Sequence, residues 1–146
     1  MALGPLQPSM SVTNATLYPT CLTALCAWRE ARGEPLEARR GVIWVINTRS
    51  AVKSWWNGQK QFDPVAVILQ PYQFSSFNLT DPNATKFPVN GDPIWEETKL
   101  AAISPGEDNT GGATSYYSTD IYPPSWTAEM QFTVQLGALK FYKLST

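Results

Sequence analysis

The sequence contains no histidine. That absence excludes Ser-His-Asp and Cys-His nucleophile systems, His-ligated zinc and imidazole acid–base catalysis. Cysteine is scarce, with only Cys21 and Cys26, too few to build a structural zinc site alone. Both fall on one expected helix, where five positions separate them by about 7.5 Å along the axis. A disulfide spans about 4.4–6.8 Å between Cα atoms, so both are expected as buried thiols. No apolar run approaches the roughly 18 residues of a membrane span, so no integral membrane segment is expected. Met1 to Met10 lacks the basic segment and apolar stretch of a secretory signal, which implies a soluble protein made in the cytoplasm. Charge is sparse as well: 11 Lys and Arg stand against 12 Asp and Glu, a formal net charge of −1. That balance excludes a strongly basic nucleic-acid binder and an acidic disordered tail. Neither Cys nor carboxylate clusters with ligand spacing, so no metal and no cofactor is expected.

What is present suits one folded domain. The 146 residues match a single-domain length, and 43% hydrophobic residues with six each of Trp, Tyr and Phe can furnish a core without staples. Residues 1–18, with Gly4, Pro5 and Pro8, read as a lead-in arm, and 19–146 as the single domain. From Thr20 to Arg32 the residues Leu22, Leu25, Cys26 and Arg29 share a helical stripe. Ala24, Ala27, Trp28 and Ala31 cover most of the remaining faces, the pattern of a buried helix. Gly33 and Pro35 then mark one helix end and the next helix start. The second helix is expected from Pro35 to Arg49, with Ala38, Val42, Val45 and Ile46 on one stripe. Shorter helices are predicted from Pro64 to Leu69, capped by Asp63, and from Pro93 to Ile103, capped by Asp92. In the last of these Trp95, Leu100 and Ile103 are expected to face inward. Pro71 to Phe87 and Gly106 to Tyr122 read as loops and short strands. Alternation through Phe132, Val134 and Leu136, then Gly137, Leu139, Phe141 and Tyr142, predicts a terminal strand pair or one bent strand, with a helix as the competitor.

Two carboxylates stand out. Glu30 lies one turn after Cys26 on a buried helix, so its carboxyl emerges beside apolar groups. Desolvation there favours the neutral acid, as a glycosidase proton donor requires. The competing role is an ion pair with Arg29, Arg32 or Arg39. Glu34 directly precedes Pro35, where exposed amides and the helix dipole favour a carboxylate as a cap. A second catalytic carboxylate is its other role, since glycoside hydrolysis commonly uses two.

The segment Glu30-Ala31-Arg32-Gly33-Glu34-Pro35, followed by Gly41-Val42-Ile43-Trp44-Val45-Ile46-Asn47-Thr48-Arg49, resembles the signature of the cell-wall hydrolase family that includes bacterial spore cortex-lytic enzymes. Further similarities are Val67-Ile68-Leu69-Gln70-Pro71-Tyr72-Gln73-Phe74-Ser75, Gly112-Ala113-Thr114 with Tyr116-Tyr117, Pro124-Ser125-Trp126, and Leu136-Gly137 with Phe141-Tyr142. Together they cover about residues 24 to 143. Family members often carry a His after the Ala-Thr pair and another near the final Gly, where this chain has Ser115 and Leu139.

The resemblance implies a lysozyme-like α+β fold, mainly helical, with short strands and long loops lining a groove. It implies an enzyme that cleaves peptidoglycan glycan strands between N-acetylmuramic acid and N-acetylglucosamine, as a lytic transglycosylase or muramidase. By position Glu30 resembles the catalytic acid, with Glu34 assisting. Tyr72, Gln73, Phe74, Ser75, Thr114, Tyr116, Tyr117 and Trp126 become candidates for stacking on sugars or bonding their polar groups, although each aromatic taken alone fits a core better than a site. The competing class is a non-catalytic peptidoglycan-binding or virion-assembly protein that keeps the groove. The missing signal suits a bacteriophage endolysin that reaches the wall after release, with a virion lysin and a host enzyme as alternatives.

Overall fold

The computed structural model describes residues 14–71 and 73–145. Most of the expected arm, the segment Met1 to Met10, Tyr72 and Thr146 lie outside the described residues. Among the described residues four α-helices come first: α1 (Asn14–Ala31), α2 (Leu36–Ala51), α3 (Pro64–Leu69) and α4 (Pro93–Ile103). Three strands follow, β1 (Ser115–Ser118), β2 (Met130–Leu136) and β3 (Leu139–Leu144), in an antiparallel sheet of order β1-β3-β2. The α+β class and the terminal strand pair are as expected.

Local chemistry explains the helix starts. Asp63 accepts from Ala66 N and Asp92 from Ile94 N, each ahead of a proline whose missing N–H costs nothing in the first turn. The start of α1 differs from expectation. It begins inside the stretch read as an arm and carries Pro19 within it. Packing supports that extra length: Leu17 and Cys21 line a shallow apolar groove with Ile103 of α4.

That opening on one side of α1 corrects the cysteine expectation. Cys26 is fully buried, but Cys21 is exposed. Five residues turn a helix through about 140° beyond a full revolution, so a helix covered on most but not all sides hides one thiol and presents the other.

The core joins Cys26 and Ala27 of α1, Val42, Ile43 and Ile46 of α2, Val67 and Ile68 of α3, and Leu139 and Phe141 of β3. Gly41 lets α2 approach β3, since a Cβ there would stand 2.5 Å from Phe141 Cζ. The inward face of α4 is not the one expected. Leu100 and Ile103 are 68% and 57% exposed, Trp95 is half-buried, and Thr98 and Ala101 face the core. The cause is Arg39 of α2, whose buried guanidinium donates to Thr98 Oγ1 at 3.0 Å and to Glu97 Oε1 at 2.7 Å. A buried cation needs those acceptors turned toward it, and the leucine and isoleucine are turned outward.

Candidate active site

The C-terminal end of α1 sets Glu30 at the rim of the helical layer, and β1 sets Tyr116 opposite it. The Tyr116 hydroxyl donates to Glu30 Oε1 at 2.7 Å. No ion pair claims Glu30 among the described residues, because each arginine that competed for it is bound elsewhere. Arg29 donates to the carbonyls of Ser76, Ala84 and Lys86 and packs on Phe77 and Phe87. Arg32 donates to Asn83 Oδ1 and lies over Trp28. Arg39 is held by Glu97 and Thr98. Glu30 therefore opens into a cleft that it shares with Arg32, Glu34, Asn83, Ser118 and Asp120.

Glu34 shares the cleft but does not cap α2. Pro35 occupies the cap position without a side-chain bond, while Glu34 Oε1 accepts from Ala138 N at 2.7 Å. The carboxylate thus ties the α1–α2 junction to the β2–β3 turn. A backbone N–H with no strand partner, brought close by the hairpin, satisfies it better than the helix end.

A second cleft, of about 430 Å³, adjoins the first through Tyr116. Its lining includes Arg49 of α2, Trp55 and Trp56 of the following short turn, Gln73, Thr114, Trp126 and Met130. Trp56 Nε1 donates to the carbonyls of Arg49 and Val52, and Asn57 Nδ2 donates to the same two. These bonds satisfy carbonyls that the end of α2 leaves open and fix the base of Arg49. Arg49 Nε donates to Thr114 O at 2.6 Å, joining α2 to the start of β1.

Burial shapes the titration of this centre. It pushes the Tyr116 phenol well above its ordinary range, with the Glu30 carboxylate adding to the effect. It raises the Cys26 thiol in the same way, again helped by Glu30. The Arg49 guanidinium is lowered by desolvation. The centre holds one carboxyl facing open space, one phenol kept protonated, and one buried cation.

Of the residues singled out in the sequence, Glu30 and Glu34 share one cleft, while Gln73, Thr114, Tyr116 and Trp126 line the adjoining one. Phe74 belongs to the core, 2% exposed beneath Arg49. Ser75 is exposed and does not line that cleft. Tyr117 is buried between Trp126 and Tyr142, with ring centroids 6.2 and 6.0 Å away. Sequence reasoning missed Arg49, Trp55, Trp56, Ser118 and Asp120. Arg49 carried a usable signal, a cation ending an apolar helix stripe; Ser118 and Asp120 carried none. Among the described residues no three His, Cys, Asp or Glu side chains cluster as a metal site, and no helix is long and apolar enough to cross a membrane.

The chain is similar to known proteins in sequence and in fold. The sequence model of a family described as Cell Wall Hydrolase matches residues 33–142. The fold is similar to the catalytic domain of the germination-specific lytic transglycosylase SleB from Bacillus anthracis, with a TM-score of 0.67 and 25% identity over 90% of this chain and all of that one. It is likewise similar to the catalytic domain of the Bacillus cereus SleB protein, with a TM-score of 0.66 and 25% identity over 96% of this chain and all of the other. No match was found among curated protein sequences.

Proposed function

The chain belongs to the cell wall hydrolase family, and from that premise we propose that it cleaves peptidoglycan glycan strands between N-acetylmuramic acid and N-acetylglucosamine, with Glu30 as the proton donor. The observation that carries this reading is Glu30 itself: a carboxyl at the end of a buried helix, unclaimed by its neighbouring arginines, open to a cleft and oriented by the Tyr116 hydroxyl. The likeness to a domain described as a lytic transglycosylase adds support.

In this reaction the Glu30 carboxylic acid gives its proton to the glycosidic oxygen as the bond from that oxygen to C1 of the muramyl sugar breaks. The resulting carboxylate takes a proton from the muramyl 6-hydroxyl, whose oxygen bonds to C1 and closes a 1,6-anhydro ring. Glu30 ends protonated, ready for another turn. Water in place of the 6-hydroxyl gives hydrolysis by the same acid and base. Tyr116 holds one oxygen of the carboxyl and leaves the other for the substrate. Glu34, occupied by Ala138 N, shapes the cleft wall. The substrate is reached in the wall after release from the cytoplasm.

Mass spectrometry of digested purified peptidoglycan tests the proposal. Anhydro ends are expected, one water lighter than reducing ends. Reducing ends alone would make the protein a muramidase, and binding without cleavage would return it to the non-catalytic class.

A further inference from the structure

Arg49 is a charge without a counter-charge. It is 7% exposed, and among the described residues no carboxylate lies within ion-pair distance of it. Its Nε is spent on the Thr114 carbonyl, its Nη1 reaches Gln73 Oε1 only at 3.5 Å, and its Nη2 donates to no described group. Thr114 supplies a second, independent observation: the residue lines the same cleft, and its buried Oγ1 has no hydrogen-bond partner among the described residues. A buried cation lacking an anion and a buried hydroxyl lacking a partner are both costly to maintain. A carboxylate relieves both at once, because it accepts from the guanidinium fork with one edge and from a hydroxyl with a remaining lone pair.

The walls specify what bears that carboxylate. Trp55, Trp56, Trp126 and Tyr116 surround the cleft, and aromatic faces beside a few placed polar groups suit a sugar ring. Tyr116 also touches Glu30, so an occupant of this cleft sits one side chain from the proposed proton donor.

We propose that the cleft of Arg49 and Thr114 binds the acidic arm of a muramyl residue through its carboxylate, and thereby sets which sugar lies next to Glu30. N-acetylglucosamine has no such arm and gains nothing from Arg49. The carboxylate has two sources, the free lactyl acid of a peptide-free strand or an acid group of the attached peptide. The inference rests on the glycan-cleavage reading but is tested apart from it.

Three soluble glycan preparations serve as probes: peptide-free strands with the free lactyl acid, the same strands as methyl esters, and peptide-bearing strands. Turnover is measured with the wild type, and binding by titration calorimetry with Glu30→Gln, which separates recognition from chemistry. Esterification is expected to raise KM and Kd about tenfold or more with kcat nearly unchanged, the pattern of lost binding. Thr114→Val should weaken the free acid several-fold, leave the ester unaffected and keep its melting temperature. Arg49→Gln should abolish the discrimination, and the ester comparison decides the matter should that variant fail to fold. Tight binding of peptide-bearing strands assigns the carboxylate to the peptide, and preference for the free acid assigns it to the lactyl group. Equal KM and Kd for acid and ester overturn the inference while leaving cleavage intact. Discrimination in Kd without turnover of any preparation overturns the cleavage reading alone.

Discussion

The Tyr116 hydroxyl donates a 2.7 Å hydrogen bond to Glu30 Oε1 across 86 positions of sequence. That single bond joins the helical layer to the sheet at the point where the two clefts meet. It also makes the phenol a positioning group, since the donor fixes the carboxyl without titrating near neutral pH.

Glu30→Gln should fold and melt like the wild type, because the amide is nearly isosteric and can still accept from Tyr116. Its lytic rate should fall by about 10²–10⁴-fold, the usual worth of a general acid. Clearing of a peptidoglycan suspension and a thermal melt check both; near-wild-type clearing would sink the assignment.

Tyr116→Phe keeps the ring packed on Phe141, at 5.6 Å between centroids, and removes only the hydroxyl. A fall in kcat of about tenfold is expected, with a stability loss of about 0.5–1.5 kcal/mol. The alkaline limb of stability should change too. The folded phenol titrates well above 10, so its contribution is complete below about pH 10 and is lost as pH rises through the folded value. Melting temperatures measured from pH 8 to 11 should decline less steeply in Tyr116→Phe than in the wild type.

The two thiols should separate cleanly. Cys21 is exposed and Cys26 is buried, with its thiol held protonated by burial, and the thiolate is the reactive form. Iodoacetamide under native conditions should add one label, on Cys21, and a second only after denaturation. Two labels on the folded protein, read by mass spectrometry, would contradict the burial of Cys26.

Gly137 and Glu34 form a test of the cleft wall. Gly137 has φ +58°, and a Cβ there would lie 2.5 Å from Glu34 Oε1 and 2.8 Å from Pro35 Cδ. Gly137→Ala should destabilise by about 1–3 kcal/mol through backbone strain and overlap. Glu34→Gln should be milder, because an amide oxygen can still accept from Ala138 N. A denaturant titration ranks the two, and the reverse order would give the Glu34 charge a larger role than its bond to Ala138.

Trp55 and Tyr117 separate groove from core. Trp55 is 58% exposed at the mouth of the second cleft, whereas Tyr117 is buried among Trp126 and Tyr142. Trp55→Ala should lower turnover with little change in melting temperature. Tyr117→Ala should lose about 3–5 kcal/mol of stability, the usual cost of truncating a buried aromatic, and lose activity in parallel. Turnover and melting curves for both variants give the comparison.

Short-range chemistry made much of this protein legible in its sequence. Asp63-Pro64 and Asp92-Pro93 announce helix starts because a cap and its amides lie within three residues of each other. Alternation around Gly137 announces the strand pair, the motif series from Glu30 to Tyr142 announces the family, and Glu30 stands out because one helix turn suffices to set it beside Cys26. Residue spacing could not decide which partner each polar group takes. Arg39 binds Thr98, Arg49 binds Thr114 and Glu34 binds Ala138, at separations of 59, 65 and 104 residues. Those bonds turned Leu100 and Ile103 outward, kept Arg39 from Glu30 and put a lone guanidinium at the floor of a cleft. Helix caps and hydrophobic periods act over a turn or two of chain, so the sequence alone determined them. The desolvation of a charge and the choice of its hydrogen-bond partner depend on what the whole chain packs around it, and only the tertiary structure decided those.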